Sequence, residues 1–420
     1  MGLGIYIKGE VSKPLLSFKK KLFDLSTIQD YITDHSSGLF KDFLSFDQSE
    51  STLYATLHPC EESVHFVLSG STIICSAKTN SVGPGYHAYL VEFVEKLGKD
   101  LGIKWSWDLE EDEEYYQDET GYYQHRNYEQ LQLEMLGWLK ALCRTYDEEG
   151  GKQIMVSLPM GFPRMKLDYF AMSPVQIWEK EWFNKVAGLE PEDLKWAGEE
   201  FFIWWNQEPD ALFYKQTGIA LMNVDCPWHF PVDEQEKNLL SAIDQCFESA
   251  RKLDPFIELP EGDWETVRNL PSEIESDILE TQYGYRKHLM TFDLPGEWLI
   301  DLPGTMYRTT DGNTLVFYDH LFSVRSLAYN IEKETSDAEY AETFFDTNEN
   351  VGAGTETLYS ETDLAGKAIV CYAIDKEANS EYWVLQGVKV KDDKFLLSTI
   401  CYPTEEHKEW AVQTWNSIRT

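Results

Sequence analysis

From residue 298 to residue 402 the sequence repeats short apolar runs of strand length, and a helical stripe appears only after Pro403. Runs at 298–302, 313–319, 367–374, 382–390 and 394–402 predict five strands. Asp311-Gly312-Asn313, Lys376-Glu377-Ala378-Asn379 and Lys391-Asp392-Asp393 supply their turns. Over 403–418, Trp410, Val412, Trp415 and Ile418 fall roughly along one side, the pattern of a helix that covers a sheet. A C-terminal antiparallel sheet backed by a helix is the architecture this rhythm permits.

The first hundred residues alternate the two periodicities. Strands are predicted at 4–9, 51–59, 64–68 and 71–77, the last two joined as a hairpin through Ser69-Gly70. Tyr86, Leu90, Phe93, Val94 and Leu97 then recur as one helical stripe that Gly98 and Gly102 close, and 103–107 returns as a strand. Further helices are predicted at 127–146, 174–186, 191–205 and 234–253, with a strand at 218–224. Proline and glycine thicken between 255 and 303, which places a boundary near 285. The fold class is α+β. Residues 1–284 form an N-terminal mixed α/β domain that admits a division into two subdomains near 150, and 285–420 form a C-terminal α+β domain.

Charge narrows the functional classes. The 420 residues carry 36 Lys and Arg against 73 Asp and Glu, a formal net charge of −37, with the excess concentrated in the N-terminal part. Nucleic-acid backbones and anionic membrane surfaces are bound largely through Lys and Arg, so neither is an expected partner. A basic protein is, because opposite fields accelerate encounter. Seven scattered Cys without a CxxC pair suit a reducing compartment, and no run reaches the ~18 apolar residues of a membrane span; a cytoplasmic location is expected.

The most pointed local pattern is the small-residue loop 76–87, ending Gly83-Pro84-Gly85-Tyr86-His87 ahead of the helical stripe. A helix start of this kind exposes backbone N–H groups that attract anions, so an enzyme reading takes His87 as general base and Lys78 as anion holder. The glycine spacing is neither a dinucleotide fingerprint nor a phosphate loop, and a simple helix-starting turn is the preferred reading. His58-Pro59-Cys60 and Cys226-Pro227-Trp228-His229 each bring two metal-ligand types together, but two isolated pairs do not make a tetrahedral site, and no metal or other cofactor is expected. Trp178, Trp182, Trp196, Phe201, Phe202, Trp204 and Trp205 are read mainly as core, with Trp178 and Trp182 on one helix face. The run 108–119 has no Lys or Arg and is read as a solvated acidic loop. Within it, Glu110, Glu111, Asp112, Glu113, Glu114, Tyr115 and Tyr116 are the residues expected to contact a partner.

Two stretches carry a family resemblance. Residues 76–107, with Val82-Gly83-Pro84-Gly85-Tyr86-His87-Ala88-Tyr89-Leu90, resemble bacterial proteins of polymorphic-toxin immunity loci. The part from Glu297, with Leu315-Val316-Phe317-Tyr318 and the closing segment 409–418, is similar in layout to Mog1/PsbP-like domains. The resemblance implies a cytoplasmic protein that binds and neutralises a cognate basic toxin. It transfers no catalytic residue. A hydrolase or transferase using the loop before Tyr86 is the alternative expectation.

Overall fold

The computed structural model describes residues 2–11, 23–36, 41, 43–111, 114–148, 153–270, 282–347, 356–375 and 380–420. The fold is α+β, and the chain divides into two compact units. Unit 1 comprises Met1–Met160 and Asp168–Gly284; unit 2 comprises Gly161–Leu167 and Tyr285–Thr420.

Unit 1 is organised around β1 (Gly4–Val11), in which Ile5 and Ile7 are buried. On one side of it follow β5 (Thr72–Lys78), β4 (Val64–Ser69), β3 (Thr52–Thr56) and β2 (Ser45–Gln48), all antiparallel. The other side is shared. β8 (Glu114–Asp118) pairs with the start of β1 at Ile5 and Tyr6, while β6 (Ile103–Ser106) pairs with its end from Lys8 to Val11. β7 (Asp108–Glu111) hydrogen-bonds to β8 and ends the sheet on that side. Helix α1 (Leu25–His35) is capped by the Asp24 carboxylate, which accepts from the Thr27 amide at 3.2 Å.

Helix α2 (Pro84–Leu101) packs Tyr86, Leu90, Val94 and Leu97 into the same core. Its start explains the small-residue loop. Gly83 has φ +123°, a conformation side chains rarely adopt, and a Cβ on Gly85 would lie 2.0 Å from Trp204 Cδ1. The two glycines therefore let the backbone of 201–205 dock on this turn: Gly85 N donates to Trp204 O and Trp204 N donates to Val82 O, both at 2.9 Å.

After the single turn α3 (Tyr122–His125) and helix α4 (Tyr128–Glu148), short strands β9 (Ile154–Met155), β11 (Ala171–Met172) and β12 (Ile177–Trp178) form a small sheet, and β10 (Arg164–Met165) belongs to unit 2. Helices α5 (Lys180–Gly188), α6 (Lys195–Phe201), α7 (Ala211–Val224), α8 (Glu234–Leu253) and α9 (Glu261–Asn269) complete unit 1. Three local expectations need correcting. Residues 218–224 are the end of α7, not a strand: every residue from Gln216 to Val224 is buried, so the segment shows an apolar run without helical period. Trp178 lies on β12 and not on a helix with Trp182, although their ring centroids are 4.1 Å apart. Within the acidic run, 108–111 and 114–118 are paired antiparallel strands and not a loop.

In unit 2, β13 (Leu289–Leu294) pairs with β14 (Trp298–Pro303) and β10. A seven-stranded antiparallel sheet runs in the order β15 (Tyr307–Asp311), β16 (Thr314–Tyr318), β17 (Ser323–Asn330), β21 (Lys394–Tyr402), β20 (Ser380–Lys391), β19 (Ala365–Asp375) and β18 (Glu356–Tyr359). Helices α10 (Asp337–Thr347) and α11 (Lys408–Asn416) accompany it. Trp415 of α11 is fully buried over Gly387, where a Cβ would come within 2.3 Å of the indole nitrogen. The turn expected at 376–379 lies outside the described residues. Among the described residues no helix is long and apolar enough to cross a membrane.

Candidate functional site

The structure separates the two groups of the enzyme reading. His87, on the first turn of α2, is fully buried. Its Nδ1 lies 2.7 Å from Thr79 Oγ1, and its Nε2 lies 3.0 Å from Asp118 Oδ1 and 2.9 Å from Thr120 Oγ1. Asp118 also accepts from the amides of Thr120 (2.9 Å) and Tyr123 (2.7 Å). Burial pushes the Asp118 carboxyl up, but the His87 ring and these two amides outweigh it and hold the group down at about 2. The cluster ties β8 and α3 to the start of α2. Lys78 stands apart from it, exposed at the end of β5, with its Nζ 3.9 Å from Glu62. The helix start itself is occupied by the Trp204 carbonyl, so it presents no open cradle for an anion.

Neither metal-ligand pair closes into a site. His58 is buried, its Nδ1 accepting from the Cys60 amide at 3.1 Å, and burial lowers its pKa to about 3. Its ring packs near Tyr86, Phe213 and Trp204, with centroids 5.8, 5.9 and 6.4 Å away. Cys226 is buried, and His229 Nδ1 donates to the Phe230 carbonyl at 2.8 Å. Among the described residues no group of three or more His, Cys, Asp or Glu is placed to hold a metal ion, and all seven cysteines are free thiols.

The acidic run forms a solvent-facing edge. In β7, Asp108, Glu110 and Glu111 are exposed, and on the paired strand β8 Glu114 and Tyr115 are exposed as well. Asp112 and Glu113 lie outside the described residues. Tyr116 is only 5% exposed and belongs to the support of the hairpin: its ring stacks on Tyr6 at 4.8 Å, and its hydroxyl donates to Glu114 Oε2 at 2.5 Å. Tyr6 donates to the same oxygen at 3.2 Å, and these two phenols hold the Glu114 carboxyl below its usual range. Tyr115 donates to Asp108 at 2.8 Å. Lys8, from β1, pairs with Glu111 and lies 5.6 Å over the Tyr116 ring. The hairpin thus presents four exposed carboxylates among its described residues and one paired lysine beneath them.

No family model matches the chain, and no curated protein matches it. Among solved structures, a protein from Bacteroides thetaiotaomicron VPI-5482 is similar over 31% of this chain, at 15% identity and a TM-score of 0.23. The match spans 47% of that chain, about half its length.

A second polar feature escaped the sequence reading. The connection from β3 to β4 carries Cys60, Glu61 and Glu62, which line a small cavity of about 50 Å³ together with Ser81, Ser157 and Asp225. Glu61 Oε1 accepts from the amides of Leu57 (2.6 Å) and His58 (3.1 Å). Its Oε2 is sealed from solvent and has no hydrogen-bond partner among the described residues, and the same holds for Ser81 Oγ. Burial raises the Glu61 carboxyl well above its usual range, against the pull of the two amides. His58-Pro59-Cys60 marks the place in the sequence, but the carboxylate beside it is one among 73 acidic residues.

Proposed function

We propose that this chain is a binding protein that captures a basic protein through the β7–β8 hairpin. The observation that carries the reading is the exposed set Asp108, Glu110, Glu111 and Glu114 on the strand pair that ends the unit 1 sheet. Solvated carboxylates steer a cationic surface toward the edge, and the neighbouring exposed Tyr115 offers a desolvating contact. A terminal strand also leaves one row of backbone groups open to strand addition, a mode in which main-chain bonds give affinity and side chains give selectivity. A toxin domain with a basic face, neutralised in the cytoplasm, is the partner class that suits this edge.

The competing account of the same residues is that charges on an edge strand prevent self-association. A low-salt pull-down with the product of the adjacent gene separates the two. The binding reading expects recovery of that protein by the wild-type chain and loss with Glu110→Lys combined with Glu111→Lys. Equal recovery by both chains, or by neither, overturns it.

A further inference from the structure

We propose that the loop 360–364 of unit 2 is a strap latched by Lys389, held shut over the neutral amine and loosened when that amine takes up a proton. The loop joins β18 to β19, and Lys389 lies on the neighbouring strand β20 with Gly366 of β19 opposite it. A Cβ on Gly366 would come within 2.9 Å of Lys389 Cδ and 3.2 Å of Ser360 Cβ, so the bare glycine lets the lysine stem cross β19 to the loop. There the ammonium donates to Ser360 Oγ and, at 3.3 Å, to Thr362 Oγ1, and it lies 4.3 Å over the Trp415 ring of α11. The loop adds ties of its own: Ser360 N donates to Gly366 O at 2.9 Å, and Glu361 N donates to Asn416 Oδ1 at 3.4 Å.

Two features set this contact apart from ordinary packing. The first is burial without a counter-charge. Lys389 is fully buried, a position in which lysine is nearly always paired with a carboxylate. Here its acceptors are two neutral hydroxyls, and no carboxylate among the described residues forms an ion pair with it. The charged groups on the surrounding elements are engaged elsewhere or solvated. Lys408 of α11 pairs with Glu356, Lys394 of β21 pairs with Glu297, Lys391 of β20 donates to Thr420, and Glu361, Asp363 and Glu409 are exposed. Burial therefore acts on the amine unopposed and lowers its pKa to about 8. The second feature is where the bonds lie. Both hydroxyls belong to the loop, so opening the loop returns the amine to water, where its ordinary value is about 10.4. The open form holds the proton more tightly, so uptake of a proton favours opening. The opening equilibrium rises about twentyfold from about pH 9.5 to about pH 7.5 and levels off at lower pH. Glu361 and Asn416 also line a recess of about 730 Å³ together with Glu405, Glu409 and Gln413, so opening the strap moves a wall of that recess.

The test is hydrogen exchange of the full chain at the Ser360 and Glu361 amides, expressed as protection against the intrinsic rate. These amides are expected to be less protected than those of β17, the mark of a local opening. Protection equal to that of β17 means that the loop opens only with the whole unit, and overturns the strap. In wild type, protection at 360 and 361 is expected to fall about twentyfold between about pH 9.5 and about pH 7.5. Lys389→Met removes the charge at nearly constant volume and is expected to abolish this step. Thr362→Asp, at an exposed position, sets a carboxylate beside the ammonium; it is expected to raise protection at about pH 7.5 and to shrink the step to less than about threefold. Carbon-13 NMR of the lysine ε-carbons reads the group itself. One resonance is expected to titrate near pH 8 in wild type, to be missing from Lys389→Met and to move up to about pH 10 in Thr362→Asp. Lysines that all titrate near the ordinary value overturn the inference, as does a step that is absent from wild type or persists undiminished in either variant.

Discussion

The two ends of β8 treat charge in opposite ways. At Asp118 the carboxylate is enclosed with His87, Thr79 and Thr120, and the His87 ring nitrogens and both Asp118 oxygens have partners inside the protein. At Glu114 the carboxylate faces solvent with Asp108, Glu110 and Glu111, and Lys8 answers only part of that charge. The first cluster has nothing left to offer a ligand, so it fixes α2 and α3 on the sheet. The second keeps a net negative charge on the strand pair that ends the sheet, which is the basis of the proposed binding role. In these two clusters charge is matched where it is enclosed and only partly offset where it is solvated.

Breaking the enclosed cluster has the largest expected effect. Asp118→Ala leaves the His87 ring and two amides without their acceptor, and the stability of unit 1 is expected to fall by about 3–5 kcal/mol. Chemical denaturation, with hydrogen exchange at β1 and β8 to report on this unit, measures it; a loss below ~1 kcal/mol contradicts the structural role. The pH dependence of the same group comes next. The Asp118 carboxyl sits at about 2 in the fold against about 3.9 in an unfolded chain, so between these values the unfolded state holds more protons. Its contribution of about 2–3 kcal/mol is fully present above about pH 4 and lost as pH falls through about 2. An acid titration of stability that is identical for wild type and Asp118→Asn rules this out.

The solvated hairpin should respond the other way. Reversing Glu110 and Glu111 to Lys is expected to lower stability by no more than about 1 kcal/mol, chiefly through loss of the Lys8–Glu111 pair. Affinity for the basic partner is expected to fall tenfold or more, about 1.4 kcal/mol, measured by titration at low salt. Tyr115→Ala is the mildest change, with an expected loss of about 1 kcal/mol in partner affinity. An unaltered affinity would remove the tyrosine from the contact.

Much of the framework was legible because its signals are local. The stripe of α2 and the boundaries of α8, with Asp233 as its cap, can be read without knowing the neighbours. Where burial is complete the period disappears, and residues 218–224, the end of α7, read as a strand although the capping Asp210 stands at the head of the helix. The hairpin was missed because the lysine that offsets it is 103 residues away in sequence and the tyrosine that stacks beneath it comes from β1. The strands at β13, β15, β17 and β18 were not foreseen; the exposed run of β15 and β18 carries almost no apolar alternation to reveal it. The acidic residues proposed for contact were readable by composition, but which of them face outward is decided by pleat: Tyr116 turns inward while Tyr115 does not.

Hydrogen exchange on the complex with the neighbouring gene's product tests the central claim most directly. Saturating partner is expected to slow exchange at the amides of Leu109, Glu110 and Glu111 and around Tyr115, with the effect abolished in the Glu110→Lys, Glu111→Lys chain. A stable complex in which these amides exchange as in the free protein, while protection appears elsewhere, would contradict the account.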